Sequence, residues 1–189
     1  MIRSGIKSLG ALVLGLLLAA TAQADGAVAL HASPNPAVAG SSVNLSVDLS
    51  GITDLYAWQF TLNFDPGVLQ ASSVSEGAFL STAGATFFAP GTIDNTAGTI
   101  SFNGDSLLTA IAGASGSGTL LTISFNAIAA GSSALSFGDT LALDSQLNDI
   151  AVTWTNSSLV VTAVPEPESA LMLAAGMLLV GMRLRRRAA

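Results

Sequence analysis

Apolar residues recur at every second position through much of the chain, and this period constrains the fold more than any other feature. From Val43 to Leu49 apolar residues alternate with Asn, Ser and Asp, and Trp58 to Phe64 alternates in the same way. The pattern returns in residues 121–125, 135–137 and 150–154. A period of two indicates strands that bury one face. The sequence therefore predicts several half-buried strands and no long amphipathic helix.

Segments rich in glycine, proline and asparagine separate these stretches. They are SPNPAVAG (33–40), FDPG (64–67), APGTIDNTAG (89–98), FNGD (102–105), GASGSG (113–118) and AAGSS (129–133). Such segments are turn signals, and many short strands between turns favour an all-β, antiparallel sandwich of Greek-key or jelly-roll type. In FDPG we expect Asp65 to accept backbone hydrogen bonds, and we expect Gly67 to permit a positive φ.

The first 24 residues have the pattern of a secretory signal peptide. Two basic residues precede the apolar run from Leu9 to Ala20, and small residues follow it. This order is typical of a cleaved signal. The predicted cleavage site comprises Ala22, Ala24 and Asp25. An uncleaved anchor is the alternative, although the run is short for a span of ~20 residues. Residues 25–163 then form one folded domain outside the cytoplasm.

The charge of this domain disfavours two classes of partner, nucleic acids and anionic lipid surfaces. Residues 25–163 contain ten of the twelve acidic residues of the chain and no Lys or Arg. A strongly negative domain repels nucleic-acid phosphates and anionic lipid headgroups. The chain has no cysteine, so neither disulfides nor thiolate metal sites are available and the core must supply the stability.

Catalytic chemistry is not supported by the residues of the domain. Nucleophilic catalysis needs a base beside the nucleophile, and acid–base catalysis needs positioned groups with tuned pKa values. The domain lacks Cys, Lys and Arg, and its single histidine, His31, falls in the first predicted strand as an ordinary strand residue. A pair of carboxylates can hydrolyse glycosides, but no basic or aromatic cluster supports one here. We expect no enzymatic activity.

One segment raises calcium as an open alternative to the absence of any cofactor. The stretch DTLALDSQLND clusters oxygen ligands of the kind that calcium prefers. These ligands are Asp139, Asp144, Asn148 and Asp149. The spacing differs from an EF-hand loop, which needs Gly at its sixth and Glu at its twelfth position. We interpret the segment as strand, turn and strand.

The aromatic residues bear on carbohydrate and protein binding. Tyr56 and Trp58 share the phase of their apolar neighbours in the strand pattern, and so does Trp154. We therefore expect these three rings to face the core rather than a glycan. Phe87 and Phe88 are adjacent, so in a strand one of them points outward and contributes to an apolar patch for a partner.

Three segments together resemble the cohesin domain family. They are VAGSSVNLSVDLSGITDLYAWQFTLNFDPGVLQASSVSEGAFL (38–80), GSGTLLTISFNAIAAGSSALSF (116–137) and LDSQLNDIAVTWTNSSLVV (143–161), the last similar to the closing hairpin of the family. The resemblance covers Val28 to Thr162. It implies a jelly-roll sandwich of about nine strands, related to cellulose-binding modules. It also implies a role in protein or carbohydrate recognition, since cohesins bind dockerin modules in bacterial cellulose-degrading assemblies.

The last 26 residues, 164–189, carry three features in order. Pro165, Glu166 and Pro167 end the domain, and Ala170 to Met182 follows as thirteen uncharged residues. A basic cluster of Arg183, Arg185, Arg186 and Arg187 closes the chain. A thirteen-residue helix is ~20 Å long, shorter than the ~30 Å hydrocarbon core. Arginines after the run place it with its end in the cytoplasm and the domain outside.

This arrangement resembles the PEP-CTERM sorting signal, a short transmembrane helix between Pro-Glu-Pro and a basic stop. The resemblance implies recognition by an exosortase, a membrane protease of Gram-negative bacteria that make extracellular polysaccharide. A plain C-terminal anchor is the alternative. The sequence thus predicts an exported, non-catalytic interaction module, held in the inner membrane before processing and then sorted to the cell surface or polysaccharide matrix. A carbohydrate-binding accessory in polysaccharide catabolism and a structural matrix glycoprotein remain open.

Overall fold

The computed structural model describes residues 26–164 and residue 177. The first strands are β1 (Gly26–Ser33), β2 (Ala37–Val38), β3 (Ser42–Leu55), β4 (Ala57–Asn63), β5 (Leu69–Glu76) and β6 (Thr86–Ala89). They are followed by β7 (Thr92–Asp94), β8 (Thr99–Leu107), β9 (Ala114–Ala127), β10 (Gly131–Leu143), β11 (Val152–Thr155) and β12 (Ser157–Thr162). A 3-10 helix, η1 (Leu80–Thr82), lies between β5 and β6.

The strands form two sheets around one hydrophobic core. The five-stranded sheet has the order β11-β1-β3-β9-β5, and the seven-stranded sheet has the order β2-β12-β10-β4-β8-β6, with β7 also paired to β8. The predicted all-β sandwich is confirmed, because every stretch with period two lies in or beside a strand. None of the helices among the described residues is long and apolar enough to cross a membrane.

Aromatic side chains fill the part of the core beneath β4 and β10. Phe60 is fully buried and stacks on Trp58 with ring centroids 5.4 Å apart. Phe137 meets Phe60 edge-on at 5.2 Å, and Trp154 lies 5.8 Å from the same ring. Trp58 is 3% exposed, while Tyr56 and Trp154 are half-buried against the core. The inward orientation that their phase predicts is confirmed.

The number of strands, the direction of some strand pairs and the pairing of the last two strands differ from the expectation. The described residues form twelve strands rather than about nine, and several of these strands have only two to four residues. Two pairs, β1 with β11 and β12 with β2, are parallel within an otherwise antiparallel arrangement. The expected closing hairpin is wrong, because β11 joins β1 in one sheet and β12 joins β10 in the other. Alternation fixes which face a strand buries, but it does not choose the neighbouring strand.

Two of the predicted turns are instead strands. FNGD lies inside β8, and most of GASGSG opens β9. In β8, Phe102 has a φ of 57°, and two residues oppose one on β4 where the register shifts between Phe60 and Leu62. In β9, Gly116 has a φ of 118° near two register shifts against β3. The residues that indicated turns form β-bulges, which use the same left-handed backbone conformations.

The FDPG turn joins β4 to β5 as predicted. The Asp65 carboxylate Oδ1 accepts a hydrogen bond from the Gly67 N–H at 2.8 Å. The Asp65 backbone carbonyl accepts from the N–H groups of Val68 and Leu69, which reverses the chain. Gly67 itself is outside the left-handed region, so the expected positive φ is wrong. Gly98, which lies beside this turn, has a left-handed backbone. Its carbonyl accepts a hydrogen bond from the Phe64 N–H, and its N–H donates to the Asp94 carbonyl.

Candidate docking face

A shallow groove of about 210 Å³ crosses the outer face of the seven-stranded sheet. Phe87 on β6 forms one side and is 64% exposed, and Leu141 on β10 forms the other and is 39% exposed. The floor between them is formed by Ala57, Gln59, Ala89, Gly104 and Ser106, and the buried residues Trp58 and Asp105 also line it. We name this surface the docking face. The prediction that one of Phe87 and Phe88 points outward is confirmed, since Phe88 packs against the core.

The strand register explains why the groove forms here. Phe87 pairs with Ser106, and Ser106 pairs with Ala57. Across these three strands a large side chain is therefore followed by two small ones, which leaves a depression beside Phe87. In the next row, Gln59 stands between Gly104 and Leu141. A Cβ atom on Gly104 would lie 3.2 Å from the Trp58 carbonyl oxygen. The missing side chain at Gly104 therefore keeps the floor low.

The docking face offers apolar and neutral polar contacts. Asp105 is the one acidic residue of this lining and is 4% exposed, and the other side chains of the sides and floor are uncharged. The Asp139 carboxylate is two residues from Leu141 along β10, and its Oδ2 accepts a hydrogen bond from Thr61 at 3.3 Å. An exposed phenylalanine beside a depression of this size suits an apolar side chain of a partner. These contacts bind a partner, and they provide no group for bond cleavage or group transfer.

A buried polar layer lies directly beneath the docking face, and the sequence patterns did not predict it. The bulge at Phe102 turns Asn103 and Asp105 inward, where they are 0% and 4% exposed. Asn103 Nδ2 donates to the Ile100 carbonyl at 2.8 Å, but its Oδ1 has no partner. Both carboxylate oxygens of Asp105 and the Trp58 indole N–H are also buried without a partner. The available signal was an Asn-x-Asp pair inside an otherwise alternating stretch.

Asp105 is held close to a second carboxyl group. Burial, and after it the negative charge of Glu76, raise the pKa of Asp105 to about 7. The Ser106 N–H offsets part of this rise, although it does not reach hydrogen-bond geometry with either carboxylate oxygen. Glu76 ends β5 of the other sheet, and its Oε1 accepts a hydrogen bond from Thr86 of β6 at 2.6 Å. Thr86 and Phe88 lie on the same face of β6 and Phe88 pairs with Asp105, so the Thr86 bond brings the exposed Glu76 carboxylate to the side of β6 on which Asp105 is buried.

The four residues considered for calcium do not converge into a ligand set. Asp144 Oδ1 accepts from the N–H groups of Gln146 and Asn148 at 2.8 and 2.9 Å, which closes a turn after β10. The Asn148 side-chain amide, and then its N–H, lower the pKa of Asp144. Asp139 bonds Thr61 instead. Across residues 26–164, no three His, Cys, Asp or Glu side chains are grouped to hold a metal ion.

Two further carboxylates fasten loops. Asp54 accepts hydrogen bonds from Gly113 and from the Ser145 hydroxyl, and the Ser145 bond is the larger cause of its lowered pKa. Asp94 Oδ1 accepts from the N–H groups of Thr96 and Ala97, which lower its pKa. These acids are structural, because their oxygens are used inside the chain.

A second depression, of about 290 Å³, lies between β10 and β11. The half-buried ring of Trp154 lines it together with Asp149 and Thr140. An aromatic ring beside a carboxylate and a hydroxyl is compatible with a sugar, which offers both apolar and hydroxyl surfaces. Trp58 contributes nothing to such a site, since its ring is within the core. His31 lies exposed on β1, far along the chain from either depression.

The predicted sorting residues lie outside the described residues. They are Ala22, Ala24 and Asp25 of the cleavage site, Pro165, Glu166 and Pro167 of the sorting motif, and Arg183, Arg185, Arg186 and Arg187 of the basic stop.

Comparison with known proteins gives one family. The family model described as "Cohesin domain" matches residues 30–161, which is nearly the whole described domain. Curated protein sequences give no match to the chain.

Solved structures of cohesins are similar in fold. A non-cellulosomal cohesin from the archaeon Archaeoglobus fulgidus is 17% identical, with a TM-score of 0.58 over 79% of this chain and 98% of that one. The third cohesin of ScaC from Acetivibrio cellulolyticus, in complex with the ScaB dockerin, is 18% identical, with a TM-score of 0.61 over 73% and 99%. A cohesin–dockerin complex from Clostridium thermocellum, Coh-OlpC with Doc435, is 12% identical, with a TM-score of 0.62 over 76% and 97%.

Proposed function

The chain belongs to the cohesin domain family, and from that membership we propose that it is an exported module which binds a folded protein partner through the docking face. Cohesin domains are non-catalytic protein interaction modules, so the chain is not an enzyme. The observation that carries the proposal is the groove between Phe87 and Leu141, whose lining combines an exposed aromatic ring with small and neutral polar side chains above the buried Asp105.

A dockerin-like module is the partner class that we propose. Two of the structures similar in fold contain a cohesin bound to a dockerin. The absence of Lys and Arg from residues 25–163 requires that any cation in the interface come from the partner. We therefore expect a partner that presents apolar side chains to the groove and basic side chains around it.

The test is binding to a panel of dockerin modules, measured by calorimetry with the full chain in mild detergent. The variant Phe87→Ser should weaken binding at least tenfold, because an exposed aromatic side chain at the centre of a contact contributes strongly. Phe102→Ser is a matched control: Phe102 is equally exposed, at 64%, and lies on the same sheet outside the groove. Equal losses in both variants, or none in either, would contradict the docking face.

We also propose that both ends of the chain serve export and sorting. Residues 1–24 act as a signal peptide cleaved before Asp25, and an exosortase-type protease processes the chain near Pro165-Glu166-Pro167. The support is the order of motif, short apolar run and basic cluster in residues 164–189. Before processing, the apolar run anchors the chain in the inner membrane of a Gram-negative bacterium. Afterwards the domain resides at the cell surface or in the polysaccharide matrix.

Intact-mass measurement of the surface form tests the sorting proposal. The expected species begins at Asp25 and lacks everything beyond the Pro-Glu-Pro region. Changing Pro165 and Glu166 to Ala should leave membrane insertion intact but block processing, whereas changing Arg185, Arg186 and Arg187 to Ala should impair retention and orientation. A surface species that still carries residues 170–189 would establish a plain anchor instead.

Carbohydrate binding is the second candidate function, favoured by the depression at Trp154. A glycan array probed with the full chain distinguishes the candidates. Binding that is lost in Trp154→Ala but kept in Phe87→Ser would assign the sugar to the depression between β10 and β11. Binding lost in neither variant would exclude both surfaces as the glycan site.

A further inference from the structure

The carboxyl groups of Asp105 and Glu76 are a feature of the fold to which the proposed binding function assigns no role, although Asp105 lines the docking face from below. Asp105 is 4% exposed and neither of its oxygens has a hydrogen-bond partner. A buried carboxylate without a partner is costly, and the usual compensation is a cationic side chain. Residues 25–163 contain no Lys or Arg, and the one histidine is exposed on β1. The domain therefore has no basic side chain of its own to neutralise the pair.

A proton on Asp105 resolves this cost. A carboxylic acid donates one hydrogen bond, and the neighbouring carboxylate accepts it, so that two like charges become one. Among the described groups, Glu76 is the one charge that acts on Asp105. The other elements in contact contribute neutral groups: Trp58 pairs with Asp105 from β4, and Phe88 pairs with it from β6. The proton thus takes the place of the missing cation.

The pair also fastens the edge strand that carries Phe87. Among the described strands, β6 has only four residues and pairs with β8 alone. Its first residue, Thr86, donates the 2.6 Å hydrogen bond to Glu76, and its third, Phe88, covers Asp105. Repulsion between two ionised carboxylates acts directly on these two contacts. Opening of β6 is the local change that would let water reach Asp105.

From this geometry we propose that Asp105 and Glu76 form a proton-binding pair that holds β6 against β8, and that loss of the proton releases β6 together with Phe87. The inference deepens the proposed function, because Phe87 is one side of the docking face and its release would weaken partner binding. The proton-binding step itself requires no partner.

Two measurements on the full chain in mild detergent test the proposal. Carboxyl carbon chemical shifts of Asp105 should titrate with a midpoint between pH 6 and 8, because burial and Glu76 raise the pKa of Asp105 to about 7. Amide hydrogen exchange at Thr86–Ala89, corrected for intrinsic pH dependence, should accelerate about tenfold from pH 6 to pH 8. Amides between β3 and β9 should not change. A midpoint below pH 5, or equal acceleration in both regions, would overturn the proposal.

Variants distinguish release of the proton from calcium binding and from a general loosening of the fold. Asp105→Asn should abolish the acceleration at Thr86–Ala89, and Glu76→Gln should move the Asp105 midpoint to lower pH. Asp48→Asn is the matched control, since Asp48 is a strand carboxylate on the other sheet whose oxygens bond Ser46 and Thr119; it should leave both readouts unchanged. If 5 mM calcium chloride restored protection at pH 8, the pair would be a metal site and the proton proposal would be wrong.

Because these readouts need no partner, they separate this inference from the proposed function. Retained titration and exchange behaviour without any dockerin binding would refute the function alone. Partner binding through Phe87 with no pH-dependent opening of β6 would refute this inference alone.

Discussion

Truncation of Phe60 to alanine is the most direct test of the core. Phe60 is 0% exposed and sits between Trp58, Phe137 and Trp154. Removing a buried Phe side chain costs about 3–5 kcal/mol, because the lost transfer free energy is joined by the cost of a cavity. Each aromatic pair adds about 0.5–1.5 kcal/mol to the burial term. With three such pairs we expect a loss near the upper end of the range.

The assay is urea unfolding of the full chain at pH 6 in mild detergent, followed by tryptophan fluorescence. Phe60→Ala should lower the free energy of unfolding by about 4–5 kcal/mol with little change in the slope. Phe87→Ala is the matched control, because its ring is 64% exposed; it should cost less than about 1 kcal/mol. A loss below about 1 kcal/mol for Phe60→Ala would show that the aromatic cluster does not carry the core.

Three further predictions concern pH, folding and ligands. Between about pH 4 and 7 the folded chain keeps the Asp105 proton that the unfolded chain releases, because the pKa rises from 3.8 to about 7. The free energy of unfolding should therefore fall across this window by up to about 4 kcal/mol, and by less where water reaches the pair. Asp105→Asn should remove this fall. An increase in the free energy of unfolding between about pH 4 and 7 would contradict the prediction. Asp54, Asp94 and Asp144 act in the opposite direction, since their lowered pKa values give stability that is lost only as acid protonates them in the folded state. The isolated fragment 25–163 should fold alone with a β-sheet circular dichroism spectrum, and a substantial helical signal would oppose this. The same fragment should show no hydrolase activity and no micromolar calcium binding; binding lost in Asp144→Ala or Asp149→Ala would restore the calcium alternative.

Much of the fold follows from the sequence because the alternating stretches bury one face each. Val43 to Leu49 and Trp58 to Phe64 lie in β3 and β4 with the predicted faces inward. The pairing of strands does not follow in the same way. After β11 the chain passes from one sheet to the other. This arrangement depends on the pairing of β11 with β1, two strands that are more than 120 residues apart in sequence. No local pattern encodes such a choice.

The burial of Asp105 could not be predicted from the alternating pattern, because a β-bulge at Phe102 shifts the phase of β8. A regular strand would place Ile100 and Phe102 on one face, and Asn103 and Asp105 on the other. The left-handed conformation of Phe102 breaks this phase, so that Ile100, Asn103 and Asp105 all turn inward while the phenylalanine is exposed. Polarity and Asn-Gly both favoured a turn at this point. Local rules tend to fail at strained or functional positions, and here the failure falls on β8, the strand that contributes Gly104 and Ser106 to the docking face.

The acid-only composition of the domain connects these observations. A domain without Lys or Arg cannot form internal ion pairs with its acids, so each acid has to be exposed, bonded to backbone or hydroxyl groups, or protonated. Asp54, Asp94 and Asp144 follow the second route. Asp105 can follow only the third while it remains 4% exposed beside Glu76. Asp105 lines the docking face from below while it is buried, so the contact with a partner can respond to pH without an exposed charged side chain in the groove.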